Sequence, residues 1–396
     1  MRVAYQAGVL RALEEEGLRF AHADGTSGGT INLAMLLSGV APTEMCERWR
    51  TLRVRDFASF LPFRKYLRGP KLLGFGDADG LVDYVYPHLG IDVESIRAAR
   101  GIEGTFNVCN YAEKTNVAVA HTDVDLDVLV AGVSLPIFMP PVERDGELYL
   151  DSVWIKDANP TEAVRRDCEE IWLVWCIGNS GVYRRGAFNQ YVHMIELSAN
   201  GALFEELSHL RARSEPPPIL HVIRPEFPLP LDPDFYFGRV DADALVAMGY
   251  RDAKAYLDRA PKGGVEWAPS ATRMRDPPPG VAFSRRVRGT VSGRPVEARV
   301  RADVRDLDRF RRERTADLVG VLADGRPAKS GTFRLEGRRQ VYELVVEDEG
   351  SDLRVVLESS VRDALRFLVS LHASGSDSVR RRVGNVLRFA WLLLRG

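Results

Sequence analysis

One stretch near the start of the chain, Asp24-Gly25-Thr26-Ser27-Gly28-Gly29-Thr30, constrains the fold more than any other. A short apolar run, Leu18 to Ala23, precedes it, and Thr30 to Leu37 follows with a helical pattern. Gly25-x-Ser27-x-Gly29 between a strand and a helix is the arrangement of a nucleophile elbow. A sharp strand-to-helix turn holds its central residue in a strained backbone conformation, which neighbouring glycines permit. The helix that follows aims its N-terminal N–H groups and positive dipole end at the place where an oxyanion would form. Gly-x-Ser-x-Gly alone matches many glycine-rich loops. Its setting between strand and helix makes Ser27 the candidate nucleophile, with Gly25, Thr26, Gly28 and Gly29 shaping the turn.

The flanking pattern gives the class of fold. A helix is expected over Tyr5 to Leu18, stopped by Gly17, and a second over Thr30 to Ser38, stopped by Gly39. Thr105–Cys109, Val117–His121, Ile171–Ile177 and Leu220–Ile223 read as strands, and Leu148–Leu150 leads into Asp151. The Ile171–Ile177 run is continuously apolar, as in a strand buried on both faces of a parallel sheet. Leu126–Ser134 reads as helix, and the prolines of Leu135–Pro141 force an irregular segment after it. Asn159-Pro160 opens a further helix, Asn suiting the cap and Pro the first turn, and Ala242–Leu257 is amphipathic. Alternating strands and helices predict an α/β domain with a mostly parallel central sheet over residues 1–260. Residues 261–280 read as a linker. Short alternating segments between Gly/Asp turns then predict a small antiparallel β domain over 281–358. A helical tail, 359–396, closes the chain. Phe57, Phe60, Phe63 and Tyr66 are spaced for one apolar face, either core or a lipid-facing lid.

Charge separates the two parts. Residues 281–396 carry 24 Lys+Arg against 16 Asp+Glu, whereas the first 280 carry 30 against 39. A basic C-terminal part suits an anionic membrane surface or is simply a solvated arginine-rich face. The last helix, Val379 to Arg395, has Arg380, Arg381 and Arg382 ahead of Leu387, Phe389, Trp391 and Leu393. It suits an interfacial position, or packing against the body of the protein. No run of 18 apolar residues is present, and Arg2, Gln6 and Arg11 interrupt any leader pattern at Met1. The four cysteines have neither metal-ligand nor disulfide spacing, which fits a reducing compartment. A cytoplasmic protein, at most peripherally attached to a membrane, is the expectation. The arginines follow no groove-binding motif, so nucleic acid is not an expected partner.

In this order the blocks resemble the patatin-like phospholipases across the first ~260 residues. Ala4-Tyr5-Gln6-Ala7-Gly8-Val9-Leu10 is similar to the helix after that family's glycine-rich loop, and Gly25–Gly29 to its elbow. Ser134-Leu135-Pro136 with Phe138-Met139-Pro140-Pro141 resembles its proline block. Asp151-Ser152-Val153 stands where the family has Asp-Gly-Gly or Asp-Gly-Ala, Asn159-Pro160 follows, and Met248-Gly249-Tyr250 with Ala253 resembles the closing helix. The resemblance implies a three-layer fold and a Ser27/Asp151 dyad that cleaves lipid esters through an acyl-enzyme, without metal or organic cofactor. Arg2, Gly28, Pro136, Pro140, Pro141, Asn159 and Pro160 would line the site. A Ser-His-Asp triad using His221 is the competing arrangement, but it needs several strands ahead of the nucleophile. His22 neighbours the elbow.

Two departures bear on activity. The family's Gly-Gly-Gly-x-Arg/Lys-Gly loop, an oxyanion element, is not found: Arg2 aligns with its basic residue, Val3 with its last glycine, and the rest, with the first strand, would lie upstream of Met1. Truncation relative to a natural protein is the favoured expectation, a degenerate and catalytically impaired lipid-binding copy the alternative. Secondly, Asp151-Ser152-Val153 lacks both glycines, and Val153 stiffens the backbone beside the carboxylate.

Overall fold

The elbow sits at the edge of a mixed sheet, not in the middle of a parallel one. The architecture is that of a computed structural model, which describes residues 2–52, 78–179, 181–183, 185–213, 217–229, 241–276, 280–291, 293–337, 339–360, 372–374 and 379–395. The aromatic stripe Phe57, Phe60, Phe63 and Tyr66 lies outside the described residues.

The N-terminal part begins with α1 (Ala4–Glu15), β1 (His22–Thr26), α2 (Gly28–Leu37) and α3 (Pro42–Thr51). β2 (Glu103–Asn110), β3 (Thr115–Ala120), α4 (Leu126–Ala131), β4 (Val142–Arg144) and β5 (Glu147–Asp151) follow. β1 pairs parallel with β2 from His22↔Glu103 to Thr26↔Asn107. The other ladders, β2–β3, β2–β5 and β4–β5, are antiparallel. The expectation of a mostly parallel sheet is therefore corrected to a mixed one. The cause is local. β4 and β5 are joined by Asp145-Gly146 with φ of 55° and 81°, a two-residue turn whose twist suits a hairpin. A short turn likewise links β2 to β3, and such turns can only return the chain antiparallel.

A second, parallel pair stands apart: β6 (Glu170–Val174) and β7 (Ile219–Ile223) form their own two-stranded sheet. α5 (Pro160–Arg165) lies just ahead of β6 in sequence, and α6 (Ala187–Arg213) lies between β6 and β7. Sequence reading gave α6 no element. Its buried stripe, Ile195, Ala199, Leu203, Leu207 and Leu210, has helical spacing, but Ser198, Asn200 and Gly201 break up the pattern along the chain. α7 (Ala242–Leu257) packs on α1, where Tyr250 Oη donates to Glu15 (2.7 Å) and Lys254 Nζ to Glu16 (2.7 Å). Residues 261–276 fold back: the Val265 amide bonds Leu220 O (2.7 Å) and the buried Trp267 donates to Pro218 O.

The C-terminal part is one antiparallel sheet of β8 (Gly280–Val291), β9 (Arg294–Val304), β10 (Thr315–Leu322), β11 (Ala328–Glu336), β12 (Arg339–Asp348), β13 (Ser351–Ser360) and β14 (His372–Ser374). It curls until β13 meets β8, so closely that a Cβ on Gly289 would fall 2.8 Å from the Leu357 side chain. α8 (Leu307–Glu313) and α9 (Val379–Arg395) fill the curl. Phe310 and Phe389 stack there with Phe283 and Phe333. One face of α9 is thus committed to packing: Phe389, Leu392 and Leu393 are buried, whereas Val383, Leu387 and Trp391 point outward. No described helix is long and apolar enough to cross a membrane. The two parts meet at α7, whose Ala247 packs on Val319 and Val321 of β10. Its buried Asp243 is gripped by Arg50 of α3 (2.5 Å) and Arg299 of β9 (2.6 Å).

Candidate active site

β1 continues through Asp24 and Gly25, residues of low strand propensity, to Thr26, because its parallel ladder to β2 and the Asn107 side chain hold them there. Asn107 Nδ2 donates to both Asp24 carboxylate oxygens (2.8 and 2.9 Å) and to Gly25 O (3.2 Å). The chain then turns at Ser27 with φ 53° and ψ −126°. That region is almost closed to residues with a Cβ, at a cost of ~1–3 kcal/mol. Two glycines make the turn sterically feasible. A Cβ on Gly25 would fall 2.8 Å from Gly29 O, and one on Gly28 would fall 2.0 Å from Val3 Cγ1, whereas one on Gly29 would meet nothing within 4 Å. Ser27 is half-buried, and α2 starts at the next residue with its first N–H groups free of helical partners.

Asp151 ends β5, fully buried. Its amide bonds Ser134 O (3.1 Å), and its Oδ1 accepts the Val153 amide (2.9 Å). Oδ2 is buried with no hydrogen bond of normal geometry. Burial pushes the carboxyl up from 3.8 to about 7, opposed by the Val153 amide and the Ser27 hydroxyl. Ser27 and Asp151 are therefore neighbours. The turn after Asp151, Ser152–Trp154, is 3-10 helix, and neither Ser152 nor Val153 has a positive φ. A β-branched residue fits, and its amide is the group that holds the carboxylate.

Behind Ser27 and Asp151 runs a polar network that sequence reading did not find. Asn107 Oδ1 accepts from Asn116 Nδ2 and Asn159 Nδ2, both at 2.9 Å. Ser152 Oγ donates to Asn116 Oδ1 (2.5 Å), and Lys156 Nζ to Asn159 Oδ1 (3.1 Å). One asparagine thus ties the elbow strand, the Asp151 turn and the start of α5 together. Asn159 is the N-cap of α5, yet its side chain serves this network and not the helix. Asparagines scattered over fifty residues carry no spacing signal, so only folding exposes the set.

Asp157 was also missed. Burial and the charge of Asp151 raise it to about 8, while the Arg2 guanidinium opposes the shift. Arg2, Gly28, Asn159, Pro160, Ser27 and Asp157 share a cavity of about 460 Å³. From the proline block, Leu135 and Met139 line it; Pro136 instead accepts a hydrogen bond from Tyr191 Oη (2.8 Å), and Pro140 and Pro141 lead into β4. His221 stacks on Trp172 and bonds Tyr256 Oη (2.9 Å), and burial lowers its pKa. His22 bonds Thr105 Oγ1 (2.9 Å), and burial takes it down to about 4. Both rings are engaged elsewhere.

The family comparison agrees with this geometry: residues 1–165 match the model of the patatin-like phospholipases. The resemblance expected over ~260 residues is matched over that shorter span. A search of curated proteins finds no match. The matched residues include both the elbow and Asp151.

Proposed function

We propose that the chain is a serine lipid acyl hydrolase in which Ser27 is the nucleophile and Asp151 the only proton shuttle. The observation that carries this reading is the strained Ser27 at the tip of β1 beside a buried carboxyl poised near neutrality. Asp151 takes the Ser27 proton as Oγ attacks the ester carbonyl. The oxyanion meets the first N–H groups of α2 and its positive dipole end. Asp151 then returns the proton to the departing alcohol, leaving an acyl-enzyme. Water, deprotonated by the same carboxylate, releases the fatty acid. The chemistry needs no metal and no organic cofactor.

An apolar rim supports a lipid ester as substrate. Ile137 and Phe138 are exposed on the proline loop, and Met194 and Leu197 on α6. Phe138 packs edge-on against Tyr191 of α6, with ring centroids 5.3 Å apart. The outward Val383, Leu387 and Trp391 of α9, at four-residue spacing within an arginine-rich helix, suit attachment to an anionic membrane surface. One observation favours a second reading, a catalytically impaired lipid-binding protein: the glycine-rich loop that supplies the family's oxyanion donors is not found in the sequence. Hydrolysis of a short p-nitrophenyl ester by the chain, by Ser27→Ala and by Asp151→Ala tests both. Loss in both variants supports the dyad, activity surviving Ser27→Ala removes the nucleophile, and an inactive chain that still binds a fluorescent fatty acid supports the second reading.

A further inference from the structure

Asp151 is held from two sides, and both holds lead to one side chain of α6. On one side the Asp151 amide donates to Ser134 O (3.1 Å), at the head of the proline loop. On the other, the Val153 amide holds Asp151 Oδ1 (2.9 Å) from a 3-10 turn that ends at Trp154. Tyr191 meets both segments. Its Oη donates to Pro136 O (2.8 Å) in the loop. Its ring stands edge-on to Trp154, with centroids 5.7 Å apart, and to Phe138 of the loop, at 5.3 Å. Ser198, further along α6, donates to Trp154 O and fixes the same turn. Burial and the charge of Asp151 push the Tyr191 phenol up to about 12, so the two side chains are close enough to interact. The loop needs a hold from outside. Ile137 has φ 76°, a strained conformation for a β-branched residue that persists only where the surroundings over-determine it. Its own side chain is exposed. Within the loop, the Phe138 and Met139 amides close on Leu135 O (3.2 and 2.9 Å), and Tyr191 Oη pins the loop from another element.

We infer that Tyr191 is a positioning residue for Asp151: its hydroxyl fixes the proline loop, its ring fixes the Trp154 turn, and together they keep the carboxyl within reach of Ser27. The inference rests on the hydrolase reading of Ser27 and Asp151. Tyr191 itself lies beyond the residues that match the family model. It acts through Asp151 and not on the substrate, so it should govern turnover and leave substrate binding alone. The two holds are separable, because phenylalanine keeps the ring and gives up the hydroxyl, whereas leucine gives up both. Losing the ring also lets water reach Asp151, and its carboxyl should then fall back toward the ordinary carboxylate range. The titratable groups coupled to the Asp151 charge are Asp157, Cys109 and Tyr191 itself. The first two are common to every variant compared below, and Tyr191 stays neutral across the assayed range.

The test is steady-state hydrolysis of a soluble short-chain ester, as a function of pH, by the full chain, Tyr191→Phe, Tyr191→Leu and Leu203→Ala. Leu203 belongs to the buried stripe of α6 and makes the last variant a control for loss of stability alone. Tyr191→Phe should lower kcat about tenfold, the loss of one hydrogen bond. Tyr191→Leu should lower it about a hundredfold, as a misplaced catalytic group does. KM should stay within about twofold in both. The acid limb should move to lower pH in Tyr191→Leu by about one unit. Leu203→Ala should melt at least as early as Tyr191→Phe yet keep the parent kcat and limb. Parent-like kcat and limb in both Tyr191 variants, a loss confined to KM, or a control that shifts as Tyr191→Leu does would each overturn the role. An inactive parent, or activity that survives Ser27→Ala, is a failure of the hydrolase reading instead. Tyr191 is then judged without activity, from the ¹³C carboxyl signal of Asp151, assigned by its disappearance in Asp151→Asn. A lower titration midpoint in Tyr191→Leu than in the parent supports the positioning role, and equal midpoints overturn it.

Discussion

If Asp151 is the only base, the pH dependence of hydrolysis must follow its ionisation. Burial holds that carboxyl near 7 instead of 3.8. Attack needs the ionised form, so kcat/KM should be about half-maximal at pH 7, roughly a tenth of maximal at pH 6 and roughly a hundredth at pH 5. An ordinary carboxylate would leave the profile nearly flat from pH 8 down to about 5. Neither nearby histidine can mimic the limb, because His22 titrates near 4 and His221 is also shifted down. The assay is initial-rate hydrolysis of a soluble short-chain ester in a pH-stat between pH 5 and 8.5, with the uncatalysed rate subtracted. His22→Gln and His221→Gln should keep the midpoint, and Asp151→Asn should abolish the limb with the activity. A flat profile over this range, or a midpoint that moves with either histidine, refutes the dyad. The same shift has a stability sign. The folded-state value lies above the unfolded one, so the group's contribution is full below about pH 4 and is lost as pH rises through about 7. Activity and stability should therefore move in opposite directions across this window.

Other perturbations test the supporting geometry. Ser27→Gly should abolish hydrolysis yet raise stability by about 1 kcal/mol in urea unfolding, the relieved strain at φ 53° less glycine's own entropic cost. Gly28→Ala should cripple folding or activity, because its Cβ would collide with Val3, whereas Gly29→Ala should melt within a degree or two of the parent. Asp243→Ala should destabilise the protein by ~3 kcal/mol in chemical denaturation, since it removes the buried carboxylate shared by Arg50 and Arg299 and leaves Arg50 only the more exposed Glu47. Ile137→Ser together with Phe138→Ser should lower turnover of vesicle-borne phospholipid several-fold while leaving a soluble ester nearly unaffected, as expected of exposed apolar side chains at a lipid contact.

Local chemistry was legible in the chain wherever a short motif carries its own steric demand. Gly25-x-Ser27-x-Gly29 forces a particular turn, because nothing larger than hydrogen fits at Gly25 or Gly28. Alternating segments after residue 280 announced an antiparallel sheet, because strand period and turn residues are local properties. Asp151 was found through a resemblance of short blocks, and its partnership with Ser27 is a matter of folding. Tertiary structure decided what depends on neighbours distant in sequence. Whether strands run parallel was settled by hairpins such as Asp145-Gly146, and the strand bounds of β1 by its ladder to β2. The Asn107 network, the raised pKa values of Asp151 and Asp157, and the cavity beside Ser27 arise only when separate segments converge. Burial is a property of the assembled fold, so a carboxyl that reads as an ordinary acid in the chain is raised toward neutrality only once the surrounding layers exclude water from it.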